Sequence, residues 1–206
     1  MSKLNSPVSI RTEKMPHTSD KVQVSYPLIY NLKNTKAQHL MNTQIINALN
    51  ELLIEQQFYS KDLVELIANY EIKTNERDVL SLNLIVYSFT GGAHGMTIVK
   101  SLNFDVESGK NIALKDLFKA NFDYIGTISA IIQKDIAKWD TVVIEPFTKI
   151  KPDQDFYLAD TSLVIYFQLY DLAPYSSGFP YFPIPLLDLQ DGIRPNSIAD
   201  RLLPFT

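Results

Sequence analysis

The sequence predicts an α+β protein in which two helices pack on antiparallel sheet, and its order of elements suggests two similar helix-plus-strands halves. Three patterns carry this expectation. Apolar residues recur at three- and four-residue steps in two stretches, 37–52 and 125–136. The run 79–89 is apolar on both faces, and 96–106 alternates with a period of two. After each helical stretch come two strand-like runs joined by a short, turn-rich segment, which calls for antiparallel pairing. The reading is of one module over 1–206, with a first half at about 8–95 and a second at about 96–190; no residue-level repeat relates them.

Taken in order, Val8–Lys14 and Val22–Tyr30 read as strands separated by the turn-prone Pro16-His17-Thr18-Ser19-Asp20. Thr35 and Gln38 have the spacing of a capping box. Beyond them Ala37, Leu40, Met41, Ile45, Ala48, Leu49 and Leu52 form one apolar stripe. Val64–Lys73 and Val79–Phe89 are the next strands, joined across Thr74–Asp78. In the second of them Leu80, Leu82, Leu84 and Val86 face one side, and Ile85, Tyr87 and Phe89 the other, so the strand is expected at the centre of the sheet.

Gly91-Gly92-Ala93-His94-Gly95 follows, a density of glycine that implies a backbone path other residues could not take cheaply. Met96, Ile98, Leu102, Phe104 and Val106 then alternate with polar residues up to the turn at Glu107-Ser108-Gly109-Lys110. Leu114, Leu117 and Phe118 make a short apolar anchor. A second helix starts near Asn121, with Ile125, Ile128, Ile132 and Ile136 on one face, and it must end before Pro146. Phe156–Leu158 and Leu163–Leu169 bracket the hairpin turn Ala159–Ser162.

From Phe156 to Phe182 there are nine aromatic residues, and Pro174, Pro180, Pro183 and Pro185 punctuate the later part. Proline restricts helix and central-strand pairing, so Leu172–Pro185 is expected to be an ordered, irregular loop with Ser176-Ser177-Gly178 at its tip. Two readings of the rings stand. They pin the loop onto its own core, or Tyr175, Phe179 and Tyr181 face a partner as rigid anchors.

Charge and chemistry narrow the function class. The chain has 206 residues, 46% hydrophobic, with a net charge of −4 and scattered basic residues, which argues against nucleic acid as a partner. With no cysteine, a disulfide framework, a thiol nucleophile and a cysteine-ligated metal are excluded. His17, His39 and His94 are the only histidines, Gly-x-Ser-x-Gly does not occur, and no phosphate loop or dinucleotide fingerprint is present. Asp153, Asp155, Asp160 and Asp171 are dispersed around turns, where aspartate commonly serves the local backbone. No catalytic residue, cofactor or metal site is expected. For His94 three roles are open: tying its loop by hydrogen bonds, touching a ligand or partner, or acting as a base. The amino terminus lacks the apolar core of a signal peptide, and no run approaches the ~18 apolar residues of a membrane span.

Ser81 through GGAHG to Ser101-Leu102-Asn103-Phe104-Asp105, then Ser108-Gly109-Lys110, Leu114, Asp116-Leu117-Phe118 and TSLVIYFQLYDLAPYSSGFPYFPIPL, together resemble a bacterial extracytoplasmic domain family. That family supplies the outer domain of membrane-bound anti-sigma factors that sense lysozyme, and the N-terminal region of some peptidoglycan deacetylases. The resemblance runs from about Val8 to Leu187, in two segments that adjoin near GGAHG and Met96. It implies an α+β fold, a place outside the cytoplasmic membrane or at the cell surface, and a noncatalytic role in binding or sensing a lysozyme-like protein or peptidoglycan. A sigma-binding region and a deacetylase domain with its metal ligands have no counterpart here, so the expectation excludes both outputs. A hydrolase of cell-wall polymer and a structural accessory to a partner enzyme are the alternatives.

Overall fold

The computed structural model describes residues 7–204. The chain forms two compact units, the first ending at Asn111 and the second beginning at Ile112, and its class is α+β.

In the first unit β1 (Ser9–Met15), β2 (Val22–Tyr30), β3 (Glu65–Glu76), β4 (Val79–Phe89), β5 (Met96–Asp105) and β6 (Lys110–Asn111) form one sheet in sequence order. Neighbours are antiparallel except β2 and β3, which run parallel with Val22–Val24 opposite Leu66–Ala68. The helix α1 (Thr35–Glu55) lies between those two strands in sequence and supplies the crossover that a parallel pair requires.

As its two-sided apolarity predicts, β4 is central, paired to β3 and β5 along nearly its whole length. Leu80, Leu82, Leu84 and Val86 are fully buried and share a core with Met41, Ile45, Leu49 and Leu53 of α1. Ser81 and Asn83, of opposite parity, are buried as well. Each is satisfied across the β5 ladder: Ser81 Oγ donates to Asn103 Oδ1 at 2.7 Å, and Ser101 Oγ to Asn83 Oδ1 at 2.7 Å.

Three local expectations change. The capping box does not form, because Asn34 caps α1 one residue earlier: its Oδ1 accepts from the Ala37 N–H at 3.1 Å, while Gln38 Oε1 accepts from Leu32 N–H at 2.9 Å. Leu40 is exposed, outside the buried stripe. β3 and β4 extend into the expected five-residue turn and leave only Arg77 and Asp78 to reverse the chain, with φ of +50° and +56°. Two central residues at positive φ are what a tight hairpin demands, but the usual Asn-Gly or Asp-Gly signal is missing. A register shift between Ile72 and Thr74 absorbs the extra residue.

The turn after β5 is clamped to α1. Asn34 Nδ2 donates to the Glu107 carbonyl at 2.9 Å, Gln44 Nε2 to that of Gly109 at 2.8 Å, and the Asn111 N–H to Gln44 Oε1 at 3.2 Å. Gly109 has φ +73°, and a Cβ there would stand 2.6 Å from the Ala37 carbonyl oxygen.

In the second unit α2 (Tyr124–Lys138) is capped by Asp123, whose Oδ1 accepts from the Gly126 N–H at 2.9 Å. It buries Ile128 and Ile132, with Ile125 and Ile136 half-buried beside them. β7 (Phe156–Ala159), β8 (Ser162–Tyr166) and β9 (Tyr181–Pro185) form an antiparallel sheet in that order. A helix followed by an antiparallel meander therefore occurs in both units, as β3-β4-β5 after α1 and as β7-β8-β9 after α2. A third helix, α3 (Ile198–Leu202), is only five residues long and is capped by Ser197. The irregular stretch between α2 and β7 is tied down by buried polar groups: Ser129 Oγ accepts from the Ile150 N–H at 3.0 Å, and Gln154 Nε2 donates to the Tyr166 carbonyl at 2.7 Å.

The expected loop Leu172–Pro185 is irregular only as far as Pro180; Tyr181–Pro185 is the strand β9. Its prolines fit because of parity. Leu186 N–H donates to the Thr161 carbonyl, so even-numbered positions face β8, and Pro183 and Pro185 fall where no donor to β8 is needed. Phe182 and Ile184 turn inward and are buried.

Among the described residues no helix is long and apolar enough to cross a membrane.

Candidate functional site

The glycine–histidine loop leaves β4 and returns as β5. Gly91 and Gly92 have φ of +94° and +106°, which accounts for the paired glycines. Gly95 is buried against Tyr87, whose ring atoms would lie 2.3–2.5 Å from a Cβ placed there. His94 between them is exposed, and its Nδ1 lies 2.9 Å from the Gly95 carbonyl oxygen. A carbonyl can only accept, so Nδ1 carries the proton in this contact and, in the neutral ring, Nε2 is the acceptor.

His94 stands at a cavity of about 240 Å³ that is also lined by Gln56, Ser88, Thr90, Met96 and Ile98, with Glu55 and Gln57 at the end of α1. Gln56 is 4% exposed. Its Oε1 accepts from Ser88 Oγ, while its Nε2 is buried with no hydrogen-bond partner. Neither Gln56 nor Ser88 stands out in the sequence. A glutamine after an apolar stripe carries no signal of its own, and only the return of β4 beside the end of α1 gives it meaning.

The other expected site residues belong to the second unit. Tyr175, half-buried, opens a short 3-10 turn, Tyr175–Ser177, directly after Pro174. Its ring meets Tyr170 at 5.7 Å between centroids, and Tyr170 is 49% exposed. Phe179 lies 6.3 Å from Tyr181, and Tyr181 lies 6.2 Å from Tyr157 and 5.9 Å from Tyr166. Tyr157 and Tyr166 are buried, whereas Tyr181 is 41% exposed. The structure thus joins Phe179 to Tyr181 and places Tyr175 with Tyr170 instead. The inner tyrosines are core, whereas Tyr170 and Tyr181 present area to solvent and Tyr175 and Phe179 are half-buried. Ser176 and Ser177 are exposed, as a loop tip should be.

The dispersed aspartates do local work. Asp160 sits at φ +49° in the β7–β8 turn, and Asp155 Oδ2 accepts from Gln168 Nε2 at 2.8 Å. Lys151 and Asp171 pair at 3.6 Å beside a second cavity of about 180 Å³, both exposed enough that the pair adds little stability. Among the described residues no three of His, Asp or Glu come together as metal ligands. Tyr124, stacked on Phe118 at 5.4 Å, has its phenol pKa raised by burial and then by Asp153 and Asp116.

Known proteins resemble both segments. Residues 16–97 match the family described as deacetylase PdaC, and residues 115–186 match a protein family of unknown function, DUF3298. The peptidoglycan-N-acetylmuramic acid deacetylase PdaC of Bacillus subtilis is 26% identical over 73% of this chain and 34% of its own length. Anti-sigma-V factor RsiV of Bacillus subtilis is 29% identical over 86% of this chain and 66% of its own. The chain therefore spans about a third of one relative and just under two thirds of the other. A DUF3298 family protein from Pseudomonas aeruginosa has the same fold, with a TM-score of 0.68 at 17% identity over 100% of this chain and 99% of that one. Through these two segments the chain is similar to a domain family shared by the deacetylase PdaC and the anti-sigma factor RsiV.

Proposed function

We propose that this chain is a noncatalytic, extracytoplasmic binding or sensing domain that recognises a protein, lysozyme-like in the first instance, or a cell-wall component. The observation that carries the reading is two groups of outer rings: Phe179 with Tyr181, which packs on the buried Tyr157 and Tyr166, and Tyr170 with Tyr175. Rings held this way expose large contact area while losing little side-chain freedom on docking. The relatives support it from another direction. One relative is named a deacetylase and the other an anti-sigma factor, and a part common to two such different proteins favours recognition over a shared reaction.

The test is a pull-down from envelope extract, with lysozyme and purified peptidoglycan assayed in parallel. Tyr175→Ala with Tyr181→Ala should leave unfolding cooperative and weaken the partner more than tenfold, roughly 1.4 kcal/mol. If the pair unfolds the chain, the outer rings are core. Turnover of peptidoglycan by the isolated chain would replace binding with hydrolysis.

A further inference from the structure

Charge is unevenly shared between the two units. Of the 19 basic and 23 acidic residues, 8 and 12 fall in 112–206, so the second unit holds the whole net charge of −4 and the first is balanced at 11 of each. Within the second unit the excess is concentrated. From Pro152 to Ile193 there is no lysine, arginine or histidine, against six aspartates: Asp153, Asp155, Asp160, Asp171, Asp188 and Asp191. All but the half-buried Asp155 are exposed. The same stretch supplies β7, β8, β9 and both groups of outer rings.

The fold brings acids to both ends of β9. Phe167 N–H donates to the Pro180 carbonyl at 3.2 Å, and the chain then reverses, with Asp171 N–H donating to the Gln168 carbonyl at 3.1 Å. Tyr170 stands in that reversal at φ +69°, a conformation unusual for a bulky residue, with its ring against Tyr175 and 49% exposed. Asp171 is next to it in the chain and pairs with Lys151 at 3.6 Å; the lysine side chain is 70% exposed, so a partner's cation can replace it at little cost. At the other end of β9, the bond from Leu186 N–H to the Thr161 carbonyl holds the Asp160 turn beside the short helical turn Leu186–Leu189, where Asp188 is exposed.

Such a surface selects by charge. A neutral glycan gains nothing from it and a polyanion is repelled, whereas a basic protein brings arginine and lysine, which pair with carboxylates and lie over tyrosine rings. We propose, resting on the binding role above and narrowing it, that the second unit docks a basic protein, whose guanidinium or ammonium groups meet the Tyr170 ring and the Asp171 carboxylate. Capped hexaarginine serves as the probe, and capped hexacitrulline, of the same shape without the charge, as its control.

In nitrogen–proton correlation spectra of the whole chain, hexaarginine should shift backbone amides within 168–181 saturably, and hexacitrulline at equal concentration should not. Raising salt from about 50 to about 300 mM should weaken binding at least tenfold. Tyr170→Leu and Asp171→Asn should each weaken it at least threefold while the melting temperature stays within a few degrees. Asp62→Asn, which neutralises an exposed acid of the first unit, should leave binding unchanged. Hexacitrulline binding as well as hexaarginine would leave the rings as a contact surface and overturn the charge requirement. Shifts spread evenly over both units, an equal loss from Asp62→Asn, or no saturable response to hexaarginine would overturn the docking site itself.

Discussion

Gly109→Ala tests the clamp between the β5–β6 turn and α1. At φ +73° an L-residue sits in the left-handed region, at a cost of about 1–2 kcal/mol. The added Cβ would also stand 2.6 Å from the Ala37 carbonyl oxygen and 2.8 Å from its Cα, both backbone atoms in the first turn of a capped helix. Neither can swing aside as a side chain would. Forced separation of packed backbone adds about 1–3 kcal/mol. Taken together the loss is about 3 kcal/mol, and at ~2–4 °C per kcal/mol for a chain of this size the melting temperature should fall by roughly 6–12 °C. Thermal unfolding followed by circular dichroism at 222 nm measures it. Gly92→Ala is the control: φ is +106° there, but nothing lies within 4 Å of the new methyl, so only the conformational part should be lost. A Gly109→Ala protein melting within ~2 °C of the parent would refute the close approach to Ala37.

Asn34→Ala should cost about 1 kcal/mol of stability in urea unfolding, and Thr35→Ala much less, because the cap is the asparagine. His94→Ala should change stability by no more than about 0.5 kcal/mol, since the ring is exposed; a loss above about 1.5 kcal/mol would show that the ring ties its loop down. Tyr124 is neutral in the folded state and its pKa is raised above the ordinary 10.0, so its contribution is whole below pH 10 and is lost as pH rises through the folded-state value. Tyr124→Phe should accordingly flatten part of the decline in melting temperature above pH 10.

The sequence pattern was legible where one physical rule governed a long stretch. The α1 stripe, the two-faced apolarity of β4 and the alternation of β5 each report burial directly, and burial is what placed them. It failed where neighbours decide. Asn34 rather than Thr35 caps α1, its side chain also reaching the Glu107 carbonyl in a turn distant in sequence, and Arg77-Asp78 closes a tight turn between two strands that pair along their length. Pro183 and Pro185 read as loop residues, since a sequence does not say which way each backbone N–H will face. The candidate site divides in the same way. Tyr175, Phe179, Tyr181 and His94 stand out by residue type, but Gln56 acquires its unpaired nitrogen only from the fold.

The prolines of β9 have a consequence for how anything can attach to the second sheet. An edge strand normally offers a row of backbone donors and acceptors on which another strand can grow, whether from a partner or from a second, misfolded copy. Of the outward positions on β9, only Tyr181 keeps an N–H; Pro183 and Pro185 have none to give. That border is therefore poorly suited to templating a neighbouring strand, which protects the chain against edge-to-edge aggregation. A partner arriving there must be gripped by side chains, and Tyr181, the exposed residue of the strand that carries a ring, stands at the open end of that border.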